Sequence, residues 1–162
     1  YKTLSSISPP TKLAHQLRAA LLEAEILNAE GVPCQHVRFG EPFTVRMLWQ
    51  HSLDIPGVAY AIRVHDELDR LLFAVNTLNS GLQIESQGMH PMRCSFDHNV
   101  LVPGEYYVSI GCHIRPHTNV HVVEPCLKLV VFNVPYRSNT IFNIVGNPIF
   151  AMHPSWSQSR GE

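Results

Sequence analysis

Apolar residues recur at every second position over much of this chain, in short runs separated by turn residues. Successive side chains of a strand point to opposite faces, so such alternation predicts half-buried β-strands. In Phe43–His51 the pattern sends Val45, Met47 and Trp49 inward and leaves Arg46, Leu48 and Gln50 outward. In Val58–Asp66 it sends Val58, Tyr60, Ile62 and Val64 inward, with Ala59, Ala61, Arg63 and His65 outward. Leu71–Thr77 places Leu71, Phe73 and Val75 inside and Leu72, Ala74 and Asn76 outside. Tyr106–Ile114 places Tyr106, Val108, Ile110 and Cys112 inside and Tyr107, Ser109, Gly111 and His113 outside.

Turn signals separate these runs: Gly40-Glu-Pro42, Asp54-Ile-Pro-Gly57, Glu67-Leu-Asp-Arg70, His90-Pro91 and Pro103-Gly104. Many short strands so spaced predict an all-β, antiparallel β-sandwich. The twelve prolines fall at segment edges in this reading, as strand rules require. Leu17–Gly31 is ambiguous. Its Ala, Leu and Glu favour a helix, whereas Leu22, Ala24 and Ile26 alternating with Glu23 and Glu25 favour a strand that ends at a turn. Residues 1–16, with three serines and two adjacent prolines, read as a linker before a domain over 17–162. Arg115-Pro116 opens a polar loop, after which Cys126–Val134 reads as another strand. Two further apolar segments, Thr140–Gly146 and Pro148–His153, follow a polar hinge at Tyr136–Thr140.

A length of 162 residues suits one domain able to bury a core without staples. Charged residues are 15%, against about 25% in ordinary soluble domains. The formal net charge of -1 speaks against a basic nucleic-acid binder, and no nucleic-acid partner is expected. So few charges imply a neutral surface or one covered by a partner. No apolar run approaches the roughly 18 residues that cross a bilayer. The first residues carry no signal-peptide apolar core, and the start at Tyr1 suggests a piece of something longer. Cys34, Cys94, Cys112 and Cys126 form no C-x-x-C pair and no secreted framework. They read as four reduced thiols in a cytoplasmic domain, with two disulfides as the alternative.

Catalytic patterns are missing. The chain has no G-x-x-x-x-G-K-[ST] phosphate loop, no G-x-S-x-G elbow and no H-E-x-x-H helix. Ten histidines are the compositional oddity. His113, His117 and His121 would share one face of a helix, but Pro116 and the β-branched Val120, Val122 and Val123 oppose a helix there. In a loop the spacing has no metal geometry, so no metal site and no cofactor are expected.

The outward positions have a shape. Ala59, Ala61, Ala74, Ser109 and Gly111 lower the floor of a sheet face, while longer polar side chains rim it. Such a trough suits a neutral polyhydroxylated ligand, whose hydroxyls meet planar donors and acceptors and whose C–H face meets an aromatic ring. The candidate carbohydrate-binding residues are Arg46, Gln50, Arg63, His65, Asn76, Tyr107 and His113. A phosphate on the ligand would suit the guanidinium fork of Arg46 or Arg63. Trp49 reads as core, unless a bulge exposes it as a stacking platform.

Four segments carry a resemblance. Val58–Thr77 is a strand, a polar turn and a strand ending in Asn-Thr; Cys94–Ile114 holds F-x-x-x-x-L-x-x-G-x-Y. Leu129–Val134 supplies an F-x-V strand, and Ile26–Met47 a strand, an acidic Gly turn and a Gly-Glu lead-in. In order and spacing these resemble the C-terminal domain of the Wzt-type ATPase subunit of bacterial O-antigen polysaccharide ABC transporters, over Leu17 to Trp156. Asp69-Arg70 departs from it, where the turn commonly carries Gly, as does the His-rich stretch His113–His121.

The resemblance implies an immunoglobulin-like or jelly-roll β-sandwich and decides Leu17 in favour of a strand. It implies binding of a finished O-antigen polysaccharide, often by a modified non-reducing end, before export. It implies no enzymatic activity here, ATP hydrolysis belonging to an ATP-binding domain of the same polypeptide. The implied partners are a second copy and the membrane subunit, at the cytoplasmic face of the bacterial inner membrane. The tail is positioned to exchange strands in a homodimer. Two other readings stand beside this: a protein-interaction or dimerisation sandwich without glycan binding, and a small histidine-metal β-barrel enzyme.

Overall fold

The computed structural model describes residues 18–114, 118–132 and 155–158. Its strands are β1 (Ala19–Leu27), β2 (Pro33–Cys34), β3 (His36–Arg38), β4 (Phe43–His51), β5 (Val58–Asp66), β6 (Leu71–Asn76), β7 (Gly88–Phe96), β8 (Gly104–Ile114), β9 (Thr118–Phe132) and β10 (Ser155–Gln158). They form two five-stranded sheets, β10-β7-β4-β1-β2 and β3-β9-β8-β5-β6. The expected all-β sandwich is the observed fold. Pairing is antiparallel throughout except where β3 joins β9 in parallel, so the second sheet is mixed. The linker 1–16, Leu17, the polar hinge and both tail segments lie outside the described residues.

The strand reading of Leu17–Gly31 is correct over Ala19–Leu27, with one change. A bulge between Leu21 and Glu23 shifts the register against β4, so Leu21 rather than Leu22 is fully buried ahead of Ala24 and Ile26. The same device corrects β6. A register shift at Val64/His65 pairs Leu71 with His65 on the outer face, and Leu71 is 54% exposed instead of inward. Phe73 and Val75 keep the inward side, opposite Val64 and Ile62. Two prolines depart from the edge rule: Pro91 lies within β7 and Pro125 within β9. Pro125 sits where β9 bulges between its pairings with Val108 and Ile110, a place that needs no ladder N–H.

Between the sheets the inward positions make one core. Phe43 stacks on Phe96 at 4.7 Å, and Phe73 meets Phe96 edge-on at 5.9 Å. Trp49 of the first sheet packs on Tyr60 of the second at 5.2 Å, so no bulge exposes it. Each large side chain so buried contributes about 1.5–3 kcal/mol. Tyr106, at the start of β8, donates its hydroxyl to the Val102 carbonyl at 2.6 Å and ties the strand to its incoming loop, the tyrosine-corner arrangement of sandwich domains.

Candidate carbohydrate-binding face

Four adjacent strands of the second sheet, β9, β8, β5 and the edge strand β6, build the outer face that matters. Register puts small residues in adjacent rows: Ala61 opposite Gly111, and Arg63 between Ala74 and Ser109. Gly111 has a specific reason to be glycine. A Cβ there would stand 3.1 Å from Val122 Cγ2 and 3.2 Å from the His121 carbonyl oxygen. Without it, Val122 leans over the glycine from β9. The result is a shallow, open depression, floored by Ala61, Ser109 and Gly111 and edged by Arg63, His113, Asn119 and Val122.

The structure divides the candidate residues. Arg63 and His113 line this pocket. His65 and Tyr107 face each other across β5 and β8 on the same sheet face, nearer the β5–β6 hairpin. Asn76 lies opposite Ala61, but its side-chain oxygen accepts from the Leu78 N–H at 3.0 Å and caps the short helical turn Thr77–Asn79, so that oxygen is engaged in structure. Arg46 and Gln50 belong to β4 of the first sheet, on the opposite side of the sandwich, and cannot join this group. Arg46 there is ion-paired with Glu25 on β1. The alternation assigned inward and outward correctly for most positions of β4, β5 and β8, but it carries no information on which sheet a strand enters.

Asn119 and Val122 were missed. The stretch after Arg115-Pro116 reads as loop, yet β9 begins at Thr118. The β-branched Val120, Val122 and Val123 were the available signal. Strand geometry also separates the histidines: His113 lies on the outer face opposite Ala59, while His121 pairs with the inward Cys112. The ring of His121 meets Trp49 edge-on at 6.1 Å, and burial pushes its pKa down. His121 Nε2 and Trp49 Nε1 are buried with no partner among the described residues. Among those residues no three His, Cys, Asp or Glu side chains are grouped to hold a metal ion.

A second polar cluster lies inside the sandwich. The Ser86 carbonyl, which only accepts, takes a hydrogen bond from His51 Nδ1 at 3.1 Å and another from His90 Nε2 at 2.7 Å. Nδ1 of His51 therefore carries its proton, and its Nε2 accepts from the Tyr60 hydroxyl. His90 Nδ1 faces the Gln158 amide of β10 at 3.4 Å. Burial first, then the neighbouring His90, push the His51 pKa down; burial, and Cys112 after it, push Tyr60 up. This cluster is satisfied by its own members and closed to solvent, so it pins loops and β10 and offers no substrate access.

The four cysteines are free thiols. Burial pushes Cys94 up and raises Cys112 and Cys126 to about 12, which leaves them without nucleophilic thiolate.

Residues 13–146 match the family of the Wzt C-terminal domain. No curated protein matches the chain. Among solved structures, a crystal structure of the C-terminal domain of Wzt is similar at a TM-score of 0.66 and 15% identity. That similarity covers 80% of this chain and 86% of the other. At such identity it speaks to the fold.

Proposed function

Because this chain belongs to the Wzt C-terminal domain family, a non-catalytic domain of the O-antigen ABC transporter, we propose that it is the part that binds the polysaccharide. The observation that carries the reading is the pocket on the outer face of β5, β8 and β9. Its floor is Ala61, Ser109 and Gly111, and polar side chains of Arg63, His113 and Asn119 stand at its edge. A floor without long side chains lets a flat sugar ring approach the sheet closely. Arg and Asn donors at the rim replace the water that sugar hydroxyls give up. Tyr107, half-buried beside the pocket on the same face, supplies a ring for the C–H side of a neighbouring sugar.

In this reading the domain recognises completed chains by the non-reducing end and passes that event to an ATP-binding domain of the same polypeptide. It works at the cytoplasmic face of the inner membrane beside the membrane subunit, as a homodimer. The apolar segments Thr140–Gly146 and Pro148–His153 have a composition suited to strand exchange between copies. Residues 1–16 serve as linker.

The test is retention of the domain on immobilised host polysaccharide. Arg63→Ala and Tyr107→Ala are each expected to weaken retention about tenfold, the loss of one charge-assisted hydrogen bond or one ring contact, with the unfolding midpoint unchanged. Normal retention by both variants would place binding on another face.

A further inference from the structure

We propose that the free edge of β6 pairs with the same edge of a second copy of this chain, antiparallel about a two-fold axis at Ala74, so that two sheets run on as one. The pairing needs no exchange of the tail and does not depend on the glycan reading above.

The argument starts from the edges of the two sheets. β6 ends the order β3-β9-β8-β5-β6, and among the described residues no strand pairs with its far side. A free edge presents a row of unpaired N–H and C=O groups, and proteins blunt such edges with charges, prolines or very short strands. The other edges here follow that rule. β2, β3 and β10 are strands of two, three and four residues. Where they leave their neighbours uncovered, β1 carries Glu23 and Glu25, β7 carries Pro91, and β9 carries Glu124, Pro125 and Lys128. β6 has six residues, Leu71–Asn76, with no charge and no proline. Its register shift is confined to the hairpin end, and Phe73, Ala74, Val75 and Asn76 face β5 in regular order. Leu68, Leu71 and Leu72, exposed by 74%, 54% and 38%, gather at that end.

A second copy is the occupant this strand fits. Facing residues of an antiparallel pair share a sheet face and a hydrogen-bonding role, so a two-fold axis sets one residue opposite itself. A charge in that position would meet its like, and β6 has none. With Ala74 on the axis, the smallest side chain of the strand takes the self-facing place on the outer face, beside Arg63 of its own sheet. Phe73 then faces Val75 of the second copy, and Val75 faces Phe73 of that copy. This sets an aromatic ring against a β-branched side chain twice on the inner face, a favourable cross-strand pair. The charges of the β5–β6 hairpin fall outside this ladder. Arg70, already paired with Asp66, comes opposite Leu78 of the second copy, and Glu67 and Asp69 lie farther out. Because the charges stand at one end of the strand only, antiparallel pairing keeps the two sets apart.

The experiment is sedimentation equilibrium of the full chain over about two decades of concentration. The chain is expected to dimerise. Ala74→Lys and Ala74→Glu each set like charges face to face and should weaken the dimer about tenfold or more. An equimolar mixture of the two variants should associate as well as the unchanged chain. Ala74→Cys, combined with Cys34→Ser, should give a disulfide-linked dimer on mild oxidation, since facing Cα atoms stand within disulfide reach. A dispersed amide spectrum shows that each variant at this exposed position is folded. A chain that stays monomeric at every concentration overturns the proposal. So does a dimer that ignores both charge variants, because it is held elsewhere, as by exchange of the tail. Slow hydrogen exchange at the outward-facing amides of β6 in the monomeric variants also overturns it, and assigns the edge to residues 133–154 of the same chain.

Discussion

At the scale of single residues, the pattern of buried hydrogen bonds sets the strongest expectations. Tyr60 and His51 sit fully inside the sandwich, and each satisfies the other. Tyr60→Phe leaves His51 Nε2 without a donor, so it is expected to lower stability by about 1–3 kcal/mol, read from the urea midpoint. An unchanged midpoint would show that the hydroxyl contributes nothing. The same burial sets a pH dependence. His51 and His121 are held below the ordinary histidine range in the folded chain. On unfolding they return to about 6.5 and take up protons that the folded state refuses. Their contribution to stability is thus complete above that pH and is lost as pH falls toward their lower folded values. Unfolding midpoints taken stepwise from pH 7.5 to about 5 should decline, and less steeply in His121→Phe. None of this was visible in the chain as written, because His51 and Tyr60 stand on different sheets and meet Ser86 and His90, some 35 residues on from His51, only after the sheets close. The candidate residues show the same limit. Arg63 and Arg46 look equivalent in their strands, but one stands at a pocket and the other is neutralised by Glu25 on the far side.

At the scale of elements, alternation identified the main strands and most of their inward residues, since period 2 follows from backbone geometry alone. It failed where the chain inserts an extra residue. The bulges at Leu22 and Leu72 flip the side chains beyond them, and neither is marked by glycine or proline. The β5–β6 hairpin shows how local chemistry holds a turn. Asp66 Oδ1 accepts from the N–H groups of Leu68 and Arg70, both at 2.9 Å, and its carboxylate pairs with the Arg70 side chain at 2.6 Å. That pairing is the first cause of its lowered pKa. Asp69 pays a steric cost here, with φ at 60° where glycine is at ease. Asp69→Gly is expected to stabilise the hairpin by up to about 1 kcal/mol in thermal unfolding. Asp69→Val should destabilise by more, because a β-branched residue tolerates that conformation least. A lower midpoint for the glycine variant would mean that the aspartate makes a favourable contact outweighing its backbone strain.

At the scale of the whole molecule, closure of the two sheets decides which groups react. Cys94, Cys112 and Cys126 are buried, and Cys34 is half-buried near the end of β2. Iodoacetamide followed by mass spectrometry should label Cys34 first in the native chain and the other three only after denaturation. Labelling of Cys112 at the native rate of Cys34 would show a sandwich that opens readily. What the amino-acid order determined by itself is the all-β class, the sandwich, the identity of the core residues on β4, β5 and β8, and the presence of a small-floored polar face. These depend on side-chain periodicity and turn chemistry, which act over a few residues. The tertiary structure alone decided which strands share a sheet, that β3 joins β9 in parallel, and that Asn119 and Val122 complete the pocket while Arg46 and Gln50 stand on the opposite surface. Those outcomes depend on pairings between residues distant in the chain, and alternation is the same whichever neighbour a strand finally meets.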